Sequence, residues 1–82
     1  MVENFVAEFS RLVVAKPERI RVTKHTTNDP TLMEIVIYAD GADVGKLIGK
    51  DGKMIASIKT LISGCKAKDG FAYRVVVRAD GE

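Results

Sequence analysis

A two-layer α+β fold, three helices on one face of a three-stranded mixed sheet, is what this 82-residue sequence predicts. Three observations carry the prediction. The elements read in the order helix, strand, strand, helix, helix, strand. Each strand has one apolar face and each long helix one apolar stripe, which two layers bury most economically. The first two strands are joined by a short turn, as in an antiparallel hairpin, whereas the second and third are separated by enough helix for a parallel crossover.

Phe5, Phe9, Leu12 and Val13 recur at helical spacing, with Val2 and Val6 on the same side, and predict an amphipathic helix over residues 2–15 that Pro17 stops. Ile20 and Val22 alternate with Arg19, Arg21 and Thr23 as in a half-buried strand, and Thr26-Thr27-Asn28-Asp29-Pro30 is turn material. Met33, Ile35, Ile37 and Ala39 form one face of a second strand, with Glu34, Val36 and Tyr38 opposite, and Asp40-Gly41 ends it. A short helix from Asp43 to Ile48 follows, with Asp43 as its N-cap and Gly49 as a left-handed stop. A longer helix after Gly52 is marked by Ile55, Ile58, Ile62 and Cys65, and Asp69-Gly70 forms a turn. Phe71, Tyr73, Val75 and Val77, alternating with Arg74, Val76 and Arg78, make the last strand.

This length supports one domain, residues 1–82, with one modest core. With 46% hydrophobic and 29% charged residues the chain is expected to fold and stay soluble. No run has the length of a membrane span, and Met1-Val2-Glu3-Asn4 lacks the basic start of a signal peptide. One cysteine forms no internal disulfide, which points to a reducing cytoplasm. The net charge of +2 says little, but its distribution is uneven. Residues 41–68 hold six lysines against Asp43 and Asp51, and Arg19, Arg21 and Lys24 cluster in the first strand. A small binding groove needs such a local field, not global basicity.

The densest chemistry is at Gly49-Lys50-Asp51-Gly52, between two helical stretches, with Lys46, Lys50, Lys53 and Lys59 on or near the turn. Two glycines let the backbone turn sharply and approach a bulky anion closely. The helix that follows aims its free N–H groups into the same space. A sugar-phosphate backbone suits that space.

The element order, with Ile48-Gly49-Lys50-Asp51-Gly52-Lys53-Met54-Ile55 between the middle helices, resembles the type II, prokaryotic KH domain. Ile48, Gly49, Lys50 with Asp51, Gly52 and Ile55 fill the positions of its signature in turn. The resemblance covers the whole chain, and a stand-alone domain of this size is similar to the small bacterial KhpA family of RNA-binding proteins. It implies a glycine loop clamping about four nucleotides of single-stranded RNA. Val44, Leu47, Ile48 and Ile55 would give the groove an apolar floor, and Lys46, Lys50 and Lys53 would meet phosphates. Met33, Ile35 and Ile37 would border the groove or lie in the core beneath it. Asp51 departs from a basic loop, which shifts more of the phosphate attraction to Lys46 and Lys53. The resemblance further implies a non-enzymatic role in post-transcriptional regulation or RNA chaperoning. It implies a homodimer, or a heterodimer with an RNA-binding protein of the KhpB type, and single-stranded DNA fits the same groove. Val36, Tyr38 and Val76 on the outward sheet face are one candidate dimer surface.

Other readings are weaker. A protein-interaction module with a silent loop is the main alternative, and a helix-turn-helix DNA binder fits poorly with strands on both sides. An NTPase phosphate loop needs four residues between its glycines, but three separate Gly45 from Gly49, and Asp51 replaces the hydroxyl residue after lysine. His25 and Cys65 are single residues of their kinds, so the sequence offers no metal cluster and no cofactor site. Cys65 reads as a packing residue and His25 as surface. Lys66, Lys68, Arg74 and Arg78 read either as an extension of the positive surface for longer RNA or as solvated charges, the second favoured for Arg74 and Arg78, which alternate outward on a strand.

Overall fold

The computed structural model describes residues 2–63 and 70–80. Helix α1 spans Val2–Val13, strand β1 Arg21–Thr26, strand β2 Leu32–Ala39, helix α2 Gly41–Ile48, helix α3 Lys53–Ser63 and strand β3 Ala72–Ala79. Single 3₁₀ turns at Pro17–Arg19 and Lys50–Gly52 precede β1 and α3. The sheet order is β1-β2-β3, with β1 antiparallel and β3 parallel to the central β2. This is the mixed sheet and α-β-β-α-α-β order expected of the type II KH fold.

The core lies between sheet and helices. Val6 and Ala7 of α1, Ile35, Ile37 and Ala39 of β2, Leu47 of α2 and Ile58 and Ile62 of α3 are buried together, with Val75 of β3. Ile35 and Ile37 therefore lie beneath the helices and offer nothing to a groove, while Met33 is half-buried.

Four local expectations change. Helix α1 ends at Val13, two residues early, and Pro17 opens the following 3₁₀ turn, where its fixed φ suits the first position. Leu12, 86% exposed, and Phe5, 45% exposed, stand outside the buried stripe of α1, where Ala7 and Ser10 take the inward positions. Val36 is only 4% exposed although it faces away from the helices, because it sits on the central strand between Thr23 and Val76. Cys65 and Asp69 lie outside the described residues.

The fourth concerns Asp43. The N-cap of α2 is Asp40, whose Oδ1 accepts from the Ala42 N–H at 3.0 Å, so the helix starts two residues earlier. Asp43, one turn in, points inward and is buried. Its two carboxylate oxygens accept from the backbone N–H groups of Ala15 and Lys16 at 3.1 and 3.0 Å. They thereby satisfy donors left where α1 ends and tie that segment to α2. Burial acts to raise the Asp43 pKa, but the Ala15 and Lys16 donors, with the Lys46 charge, outweigh it and hold the carboxyl below its usual range. A depressed carboxyl pKa stabilises the fold above the unfolded-state value and loses that effect as pH falls through the folded-state value. Asp43→Asn, which turns an amide N–H toward a backbone donor, is therefore expected to lower the thermal midpoint clearly at pH 7. The deficit should shrink at about pH 3, below the ordinary aspartate pKa. Equal midpoints at pH 7 would contradict the tie.

Candidate nucleic-acid interface

The glycine turn is built by the ends of two helices. The Gly49 N–H donates to the Gly45 carbonyl at 2.8 Å and closes α2. The Gly52 N–H then donates to Gly49 at 3.1 Å, and the Lys53 N–H to the Lys50 carbonyl, starting α3. The dihedrals show why glycine is needed at both positions. Gly49 has φ 78° and ψ 171°, not a left-handed helical stop but a region essentially reserved for glycine. A Cβ there would lie 2.6 Å from the Met54 Cβ and 2.7 Å from its backbone nitrogen. Gly52 has φ 73°, and a Cβ there would meet nothing within 4 Å. Gly49 thus serves the close approach of the two helices, whereas Gly52 faces open space. Asp51 between them is left-handed, with φ 55° and ψ 28°, which aspartate tolerates better than most residues.

Around this turn Lys50, Asp51 and Lys53 are exposed, and Gly49 and Gly52 are half-buried. Ile48 is 39% exposed, and Val44 and Ile55 are half-buried, so these three present apolar surface next to the loop. Leu47 does not. It is fully buried in the core and has no surface for a base to touch. Lys59 lies six residues into α3 and, with Ile62, Ser63, Phe71, Ala72 and Tyr73, lines a separate shallow hollow.

Ion pairing divides the cations. Lys16 is paired with Asp40, Arg19 and Arg21 with Asp80, Lys24 with Glu3 and Arg74 with Glu34. Lys46, expected to carry much of the phosphate attraction, has its Nζ 3.5 Å from the buried Asp43 carboxylate. Lys50 and Lys53 have no acidic partner among the described residues, and neither do Arg11, Lys59 and Arg78. Lys50 inside the glycine turn and Lys53 just after it therefore hold no ion pair among the described residues, and the exposed Asp51 is the one acid of the turn.

The sequence matches the family described as KhpA/KhpB, KH domain, over residues 3–77. The chain belongs to that family. Similar proteins include RNA-binding protein KhpA of Treponema pallidum, 32% identical over 63 residues that span 77% of this chain and 76% of the relative. RNA-binding protein KhpA of Chlamydia trachomatis is 31% identical over 67 residues, 82% of this chain and 83% of its own. RNA-binding protein KhpA of Thermotoga maritima is 34% identical over 61 residues, 74% and 79% of the two chains. Among the described residues no helix is long and apolar enough to cross a membrane, and no group of His, Cys, Asp and Glu is placed to hold a metal ion.

Proposed function

We propose that this KH domain binds single-stranded RNA non-catalytically, clamping its backbone at Gly49–Gly52 and laying bases over Val44, Ile48 and Ile55. The observation that carries the reading is that Lys50 and Lys53, on either side of Asp51-Gly52, have no ion-pair partner among the described residues, beside a glycine whose outward side is empty. A phosphate at the turn meets two cations and the positive end of the α3 dipole, opposed by the single Asp51 carboxylate, without displacing an ion pair seen among the described residues. The KhpA relatives, named RNA-binding proteins, support the same substrate class. Lys46 contributes less to the phosphate attraction than its position suggests, since Asp43 already neutralises it.

In this reading the protein works in the cytoplasm, in post-transcriptional regulation or as an RNA chaperone. One four-nucleotide groove is a weak binder, and a second site on the same strand raises the effective concentration. A homodimer, or a pairing with a protein of the KhpB type, supplies that site. The exposed apolar side chains Phe5, Leu12 and Leu61 on α1 and α3 favour a helical surface for it.

Strand state and salt dependence test the clamp. Only unstacked bases fit a groove of this kind, so single-stranded RNA should bind more tightly than duplex. Two or three phosphate contacts predict a slope of roughly −2 for log affinity against log salt. Equal affinity for duplex, or a slope several-fold steeper, would mean coating of a basic surface instead.

A further inference from the structure

The face of the sheet turned away from the helices has its own organisation. Arg21, Tyr38 and Arg78 are adjacent across β1, β2 and β3, followed by a row of Thr23, Val36 and Val76 and a row of His25, Glu34 and Arg74. The Arg21 guanidinium carbon lies 4.2 Å from the centre of the Tyr38 ring. Arg74 donates through Nε to Glu34 at 3.1 Å, with its NH2 nitrogen 3.0 Å from the same oxygen. Arg78 is exposed and has no acidic partner among the described residues. Three arginines therefore face one glutamate, and Asp80 at the edge is shared by Arg19 and Arg21 at 3.4 and 3.7 Å.

We infer that this face is a second contact surface for the same single-stranded RNA, on the side of the sheet opposite the helices. The inference rests on the reading that the glycine turn binds such a strand. Charge selects the occupant. A second copy laid face to face would set arginines against arginines around a valine that is already covered. A polyanion meets complementary charge. The Arg21–Tyr38 cation–π pair is a platform on which a base adds a further layer, since guanidinium groups and aromatic rings both accept stacked bases. Arg78, beside it, is placed to take the adjoining phosphate. A strand that leaves the turn and passes round the sheet edge engages both surfaces, so a pentanucleotide reaches one and a longer strand reaches two.

Anisotropy titrations of wild type, Arg78→Glu and Arg78→Lys with a labelled pentanucleotide and a labelled single strand of about twenty nucleotides decide the matter. Arg78→Glu should leave the pentanucleotide affinity unchanged. It should weaken the longer strand about tenfold and make its salt slope shallower by about one. Arg78→Lys should restore most of the loss. Unchanged binding of the longer strand by Arg78→Glu overturns the proposal. So does dissociation of a wild-type dimer on Arg78→Glu in RNA-free sedimentation at tens of micromolar, which would assign the face to a second copy. Failure of Lys50→Asp to affect the pentanucleotide would instead strike the glycine-turn reading, so the two ideas fail separately.

Discussion

Replacing Lys50 by Asp is expected to remove RNA binding while leaving the far-ultraviolet circular dichroism spectrum and thermal midpoint unchanged. Lys50 and Asp51 are both exposed, and Lys50 has no ion pair to lose among the described residues. The cost therefore falls on the ligand. Gly-Asp-Asp-Gly sets two carboxylates where the wild type sets one against an ammonium, and the turn becomes repulsive to phosphate. A loss of about a hundredfold in affinity, roughly 3 kcal/mol, is the expected reading in an anisotropy titration with short single-stranded RNA. Affinity within twofold of wild type would show that the phosphate backbone does not sit at this turn.

The second large effect separates the two glycines. Gly49→Ala would force a methyl group to within 2.6 Å of the Met54 Cβ and place alanine at φ 78°, ψ 171°. Such backbone strain alone costs about 1–3 kcal/mol. The clash adds to it, because the opposing atoms include backbone and cannot swing aside. A chain of this size has a total stability of only about 4–12 kcal/mol. Gly49→Ala is thus expected to lower the urea midpoint severely, or to leave the protein largely unfolded. Gly52→Ala strains only φ, meets nothing within 4 Å and should cost about 1–2 kcal/mol while filling the space a phosphate would enter. It should weaken RNA binding in a protein that still folds. Equal stability losses at the two positions would contradict this division of roles.

The sequence made much of this legible because local signals agreed with global packing. Alternation on β2 and β3 set the sheet faces, connection lengths set the mixed topology, and Gly49 and Gly52 marked the turn. What it left hidden depends on tertiary partners. Asp43 has the chemistry of an N-cap, and only the position of Ala15 and Lys16 shows that its carboxylate turns inward and leaves capping to Asp40. Leu47 and Ile48 are adjacent and equally apolar. The helix rotates the first into the core and the second to the surface beside the loop. Leu12 falls near the edge of the apolar stripe of α1, where a shift of one helical position decides burial. Val36 reads as outward-facing and is so, yet its neighbours on both adjacent strands cover it. Strand alternation had already placed Arg21, Tyr38 and Arg78 on one face, but their alignment in one row depends on register, which alternation alone does not give.

The central claim is that a single-stranded backbone sits on the Gly49–Gly52 turn, and amide chemical-shift mapping tests it most directly. Titrating the isotope-labelled protein with a short single-stranded RNA should shift the amides of Ile48 through Met54 first and most. Smaller shifts should appear along the exposed sides of α2 and α3, and little change at the β1–β2 turn. Saturable shifts that leave Gly49–Lys53 untouched and gather elsewhere on the surface would contradict the account.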